Sequence, residues 1–169
     1  QLRDEGLAVF VESVLRETGL AGDCLELELT ESTLMENVDQ ATVTLKRLQR
    51  LGINIAIDDF GTGYSSLSYL SRLSVHRIKL DRSFVRDLNT SADSAAIASA
   101  VVNLGHGLGL DVLAEGVENE AQLAHLKRLG CDAVQGYFYS PPLSAAAFEA
   151  FAAACLPFDL TMMSGDAAS

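Results

Sequence analysis

The amino-acid sequence predicts an α/β fold built on parallel strands. Two observations carry that expectation. Short apolar or alternating runs take turns with longer stretches of helical period, and glycine or proline punctuates most boundaries between them. Strands separated by helices imply right-handed crossovers, which leaves a doubly wound sheet or a (β/α)8 barrel. A complete barrel takes about 250 residues, so five strands in this chain amount to a barrel present only in part.

Residues 2–18 read as a leading amphipathic helix. The first strand, residues 24–30, alternates leucine with glutamate, and the helix expected over 35–51 places Val38, Ala41, Leu45 and Leu48 on one face before Gly52 closes it. The second strand is expected over 53–58, the third over 77–81, the fourth over 111–115 and the fifth over 133–137. Between them, residues 91–108 form a long helix ending in Gly107-Leu108-Gly109, and residues 118–129 a shorter one ending at Gly130. A last helix over 145–155 starts from Ser144 after Pro141-Pro142, with Phe148 and Phe151 as its core residues. One domain is expected over 1–160, followed by a small, polar, frayed tail over 161–169.

At 169 residues and 49% hydrophobic content the chain can bury a core of its own. It has no run of about 18 apolar residues, and Gln1-Leu2-Arg3-Asp4-Glu5 lacks the flank and apolar stretch of a signal peptide. A cytoplasmic protein with no direct membrane insertion is expected. Cys24, Cys131 and Cys155 are odd in number and without CxxC spacing, which argues against a disulfide framework and a zinc site and for small buried hydrophobes. A formal charge of −11 argues against nucleic acid as a partner, so a phosphate-bearing ligand needs local help, for which a divalent cation is suited. His76, His106 and His125 show no HxH or HxxxH pairing. The glycines of Gly105-His106-Gly107-Leu108-Gly109 precede a strand where a nucleotide fingerprint must follow one, so they read as helix termination.

In parallel α/β folds ligands bind at the C-terminal ends of strands, and here every strand ends in polar side chains. Glu28 and Glu31 close the first, Asp58 and Asp59 the second, Lys79 and Asp81 the third, Glu115 the fourth and Gln135 the fifth. Singly, each is explained as a helix cap or a solvated loop residue. Jointly they make a rim of carboxylates with one ammonium. The adjacent pair Asp58-Asp59 is self-repelling unless a cation lies beside it, and the donor set suits a hard, oxygen-binding ion such as Mg²⁺ or Mn²⁺. The loop after the pair, Phe60-Gly61-Thr62-Gly63-Tyr64-Ser65-Ser66, carries two glycines that permit close approach to a ligand, and Glu31 is placed to tether it.

Five strings make the reading specific: LELELTES over 25–32, IDDFGTGYSSLSYL over 57–70, IKLDRSFV over 78–85, VLAEGVEN over 112–119 and VQGYFYSPPL over 134–143. Taken in this order they resemble the successive motifs of the EAL-domain family, enzymes that open cyclic-di-GMP to linear pGpG. The resemblance implies a TIM-like (β/α)8 barrel, present here in part, with two Mg²⁺ or Mn²⁺ ions as cofactors. It implies Glu28, Asp58, Asp59 and Glu115 as metal ligands and Lys79 as the residue that orients or helps activate the attacking water, Asp58 and Glu115 sharing in catalysis. Glu31 would anchor the loop of residues 58–66, which carries Phe60, Gly61 and Gly63, while Glu118 and Gln135 would line or support the pocket. The implied chemistry is in-line attack on one phosphodiester, with the ions stabilising charge. A rival role for Lys79 is that of a point charge neutralising its neighbours.

The family's Glu-Ala-Leu motif, an Arg close after it and an Asn at the end of the following strand have no counterpart in the chain. The expectation is an EAL domain without its N-terminal third, with open strand edges covered by a second copy or by the rest of a longer polypeptide carrying sensory or GGDEF-type domains. Two rival functions are a non-catalytic module that binds cyclic-di-GMP and a scaffold fragment that does not. If the chain begins at Gln1, catalysis is expected to be lost or severely reduced. Release of pGpG by this polypeptide with Mn²⁺ at a rate near that of an intact domain would contradict that expectation.

Overall fold

The computed structural model describes residues 6–36, 38–61, 70 and 73–155. The described residues divide into two compact units, one up to residue 139 and the other from residue 140 on. In the first, helix α1 (Leu7–Thr18) and a single 3₁₀ turn (Gly22–Cys24) lead into β1 (Glu26–Thr30). There follow α2 (Glu31–Glu36), α3 (Val38–Arg50), β2 (Asn54–Phe60), β3 (Arg77–Leu80), α4 (Arg82–Arg86), α5 (Ala92–Gly107), β4 (Asp111–Glu115), α6 (Glu120–Leu129) and β5 (Ala133–Gln135). In the second, α7 (Ala145–Cys155) starts where Ser144 Oγ accepts the Ala147 N–H.

The five strands pair in parallel, in chain order. Their register sorts the side chains into two faces. Leu27, Leu29, Ile55, Ile57, Ile78, Leu80, Val112 and Ala114 share one face and join a single hydrophobic core with α1, α3, α5 and α6. There α3 packs on β2, α5 on β3 and β4, and α1 on α3. Burying one Leu or Ile side chain is worth about 1.5–3 kcal/mol, so this face supplies the main drive to order the sheet.

The opposite face is ionic. Glu28, Ala56, Arg77 and Asp111 lie at one level across β1 to β4. Arg77 reaches over the small Ala56 to donate to both Glu26 carboxylate oxygens, at 2.9 and 3.2 Å, and lies 3.6 Å from Asp111. Lys79 stands one step further along β3, where the strands end. An alternating β3 thus sends Ile78 and Leu80 into the core and Arg77 and Lys79 to the other face.

Several expectations change. The helix placed over 35–51 is two helices, α2 and α3, because β1 passes into helix at Glu31 with no intervening loop. The short α4 was not foreseen; Asp81 caps it, accepting from the Ser83 N–H and hydroxyl, so the residue that ends β3 also starts a helix. Strand β2 runs on through Asp59 to Phe60. Cys24 is exposed and Cys131 half-buried, so the buried-hydrophobe reading fails for Cys24, which sits in an exposed turn. Phe148 is 59% exposed, against its assignment to a core. The side chain of Cys155, the glycine Gly63 and residues 161–169 lie outside the described residues. Termination of α5 at Gly107 matches expectation, with Leu108 donating back to Leu104 and Gly105. Among the described residues no helix is long and apolar enough to cross a membrane.

At the other end of the sheet Asp132 ties β4 to α5. Its Oδ2 accepts the Val112 N–H at 2.8 Å and lies 2.9 Å from His106 Nε2. Burial opposes its charge, but the bonds from Val112 and His106 outweigh that and hold the carboxyl below the usual aspartate range. A depressed folded-state pKa means stability that is present above the unfolded value of about 3.9 and lost as pH falls through the folded one. Asp132 is 38% exposed and its pairing partly screened, so Asp132→Ala should cost no more than about 1 kcal/mol near neutrality, and the gap to the parent should narrow in acid, as urea titrations at pH 7 and below pH ~3 would show. A gap independent of pH would contradict this.

Candidate active site

At the C-terminal end of the sheet the Lys79 ammonium contacts three carboxylates. Its Nζ is 2.6 Å from Glu28 Oε1, 2.6 Å from Glu115 Oε1 and 3.2 Å from Asp58 Oδ1. The side chain is only 4% exposed. Burial pulls its pKa down, but hydrogen bonds to Glu115, Glu28 and Asp58 outweigh that and hold it above the ordinary lysine value. Three strands thus converge on an ammonium from a fourth, with β2 lying between Glu28 and Lys79.

Adjacent residues of a regular strand point to opposite faces, so Asp58 and Asp59 should not share a site. They do share one because β2 bulges: Ile57 pairs with Ile78, but Phe60, three residues on, pairs with Leu80, two residues on. Asp59 takes up the extra residue in the left-handed region, φ 55°, an arrangement costing about 1–2 kcal/mol for a residue other than glycine. Its N–H donates to Asp58 Oδ1 at 3.0 Å. One carboxylate oxygen each from Asp58, Asp59 and Glu115 then fall within 4.8 Å of one another. Burial, followed by the negative charges of Asp58 and Asp81, pushes the Asp59 carboxyl above the usual aspartate value. A hard cation seated among these oxygens would relieve that repulsion, so the donor set fits a divalent ion.

The expected residues fall in three groups. Asp58, Asp59 and Glu115 form the tight acidic cluster; Glu28 joins it through Lys79 and lies outside the 4.8 Å group. Glu118 and Gln135 line a cleft of about 290 Å³ beside Glu115, together with Arg82, Gly116, Gly136 and Tyr137. Glu31 is buried at the start of α2, Phe60 is buried at the end of β2, and Gly61 adopts φ 95° against the Phe84 ring. Of the loop that Glu31 was expected to tether, residues 58–66, the part from 62 to 66, with Gly63, lies outside the described residues. His76, His106 and His125 contact Ile55, Asp132 and Asn89 and take no part in the cluster.

Arg82 and Tyr137 were not foreseen in the cleft. Arg82 follows the strand-ending Asp81 by one residue, and Gly116, directly after Glu115, brings it in: a Cβ there would stand 2.7 Å from the Arg82 Cβ, at a backbone φ of 73°.

The family model described as the EAL domain matches residues 1–142. The chain belongs to the EAL domain family. Among relatives of EAL type, the cyclic di-GMP phosphodiesterase NbdA of Pseudomonas aeruginosa is 50% identical over 141 residues, covering 83% of this chain and 18% of that protein. The chain therefore spans less than a fifth of the length of this curated relative. Among solved structures, the PaMucR phosphodiesterase in complex with c-di-GMP superposes with a TM-score of 0.84 at 46% identity, over 87% of this chain and 60% of that one. A manganese/cy-diGMP complex of Klebsiella pneumoniae BlrP1 gives a TM-score of 0.76 at 37% identity, over 82% of this chain and 36% of that one. EAL domains are TIM barrels, and five successive parallel strands with their helices are present here.

Lys79→Met should remove the only ammonium that the described residues bring to this EAL cluster and leave its carboxylates facing one another. Without divalent ions the midpoint of thermal unfolding should fall by several degrees, at about 1 kcal/mol per 2–8 °C, and the upward shift on adding Mn²⁺ should be larger than in the parent. An equal Mn²⁺ shift in both proteins would show that Lys79 does not balance that charge. Gly116→Ala should disturb the cleft by pushing on Arg82, lowering stability by about 1 kcal/mol or more from the left-handed backbone alone, measurable by chemical denaturation.

Proposed function

We propose that this chain supplies the catalytic carboxylates, the lysine and part of the nucleotide cleft of a metal-dependent phosphodiesterase that opens cyclic-di-GMP to linear pGpG. The observation that carries the reading is the approach of Asp58, Asp59 and Glu115 oxygens to within 4.8 Å, made possible by the bulge in β2. Similarity to a protein named as a cyclic di-GMP phosphodiesterase, and to a structure solved with manganese and the cyclic dinucleotide, supports it.

Asp58, Asp59 and Glu115, with Glu28 at the far side of Lys79, are the residues that would hold two Mg²⁺ or Mn²⁺ ions, whose chemistry is to polarise a phosphoryl oxygen and acidify water. Lys79 acts through position. Its three donors fix the rotamers of Glu28, Asp58 and Glu115, so the acidic cluster is arranged before substrate arrives. With ions held by those carboxylates, the Lys79 ammonium would be the donor placed beside them to orient water or a phosphate oxygen. Asp81 stands close enough to Asp59 to repel it and is itself held by Ser83, which keeps the acidic edge rigid. In the cleft, Arg82 offers a fork of donors to a phosphate, and Gln135 and Glu118 offer amide and carboxylate groups to a base edge. Glu31 and the Phe60-Gly61 turn support the start of the loop that leaves β2. Partner domains of sensory or GGDEF type, or a second copy of the chain, fit the small share of its relatives' length that this segment spans.

Chromatography of cyclic-di-GMP incubated with the polypeptide carrying this segment tests the reading. Mn²⁺-dependent appearance of pGpG, abolished by chelation and reduced by about 100-fold or more in Glu115→Gln, is the expected result. Calorimetry separates the rivals: binding of cyclic-di-GMP without turnover would make the chain a receptor, and neither binding nor turnover would leave a scaffold.

A further inference from the structure

Gln122 is the one buried amide side chain among the described residues that is tied to the wall of the cleft. It is 4% exposed, and its bonds reach both the segment between Glu115 and α6 and the end of α4. Its Oε1 accepts the Glu118 N–H at 2.8 Å and the Asn119 N–H at 3.2 Å, while its own N–H donates to Asn119 Oδ1 at 3.0 Å. Its Nε2 donates to the Arg86 carbonyl at 3.4 Å. That carbonyl ends α4, the short helix whose first residue is Arg82. One carboxamide therefore spans from the wall carrying Glu118 to the helix carrying Arg82, and both residues line the cleft beside Glu115.

The far wall is fixed separately. Val117 donates to the Gln135 carbonyl at 3.1 Å and Phe138 donates to the Val117 carbonyl at 2.9 Å. With Val117 pinned to the β5 side, the remaining freedom of the segment lies at Glu118 and Asn119, the two residues whose N–H groups Gln122 holds. A helix cap alone requires only the reciprocal bonds with Asn119. The bonds to Glu118 and to the Arg86 carbonyl go beyond capping, and a buried amide satisfied on both its oxygen and its nitrogen specifies a single geometry.

We infer that Gln122 is a positioning residue that sets the spacing of Glu118 and Arg82 across the cleft, and with it the affinity for the nucleotide. The inference rests on the phosphodiesterase reading for its substrate but not for its geometry. Gln122 touches none of the carboxylates of the acidic cluster, so it should act on substrate binding and leave the metal cluster alone.

The test uses Gln122→Met, which keeps the volume and removes the bonds, and Gln122→Glu, whose carboxylate offers acceptors to the same two N–H groups. In Gln122→Met, hydrogen exchange at the Glu118 and Asn119 amides should quicken by about tenfold or more and KM for cyclic-di-GMP should rise by a similar factor, with kcat changed less than about threefold and Mn²⁺ affinity unchanged. Gln122→Glu should restore the amide protection but leave KM raised, because a carboxylate oxygen stands where Nε2 donates to the Arg86 carbonyl, and a KM equal to the parent's would show that this bond does not set the spacing. Equal losses in KM and kcat that merely follow a loss of stability, or quickened exchange with KM unaltered, would overturn the inference. If the parent protein neither binds nor cleaves cyclic-di-GMP, the phosphodiesterase reading fails, and the exchange measurement still decides the geometry: unchanged protection in Gln122→Met refutes it, and loss restored by Gln122→Glu supports it.

Discussion

The crowding of negative charge around one buried ammonium governs this molecule. Glu28, Asp58 and Glu115 come from three strands and meet at Lys79, which is almost wholly out of solvent. Such an arrangement is a poor way to gain stability, because removing charges from water costs several kcal/mol per ion and the attraction only offsets it. It is a good way to hold carboxylates in one place. The stability comes from the other face of the same strands, where isoleucine, leucine and valine pack under helices. A division of labour between two faces of one sheet lets the ionic face be arranged for chemistry.

The bulge in β2 is the point at which local structure is bent to that end. Without it Asp59 would face away from Asp58, and the acidic group would lose a member. The local cost of a left-handed aspartate is about that of one ordinary hydrogen bond, and Asp59 recovers part of it through its N–H to the Asp58 side chain. Backbone departures of this kind mark functional positions more often than random ones.

Strand order, the parallel sheet and the rim of polar residues were legible from periodicity, because an apolar run that ends in Asp, Glu or Lys is visible in one dimension. So were three of the four carboxylates expected to gather, Asp58, Asp59 and Glu115, since each lies at or within two residues of the end of its strand, whereas Glu28 stands outside the tight group. The bulge was not legible: its signal is a register shift between β2 and β3, and pairing is not written in either strand alone. The fusion of β1 to α2 at Glu31 was missed for a related reason, since a polar residue after a strand looks the same whether it opens a loop or a helix. Arg82 was passed over because it follows the motif residue Asp81 and gains its place only through contact with Gly116, far away in the chain. Cys24 was misjudged because average burial of a residue type says nothing of an exposed turn.

The ionic inner face has a consequence for how the sheet finds its order. Strand β3 alone carries basic groups there, Arg77 and Lys79, while β1, β2 and β4 bring Glu26, Glu28, Asp58, Asp111 and Glu115. Oily residues would pair well enough in many sequences of strands, since one greasy surface resembles another. Acids do not tolerate being neighbours, so any arrangement that strands the two cations at an outer edge is penalised by repulsion among the rest. The positive strand in the middle works as a keystone: charge favours the orders that keep β3 among the acidic strands, a preference that hydrophobicity alone does not supply.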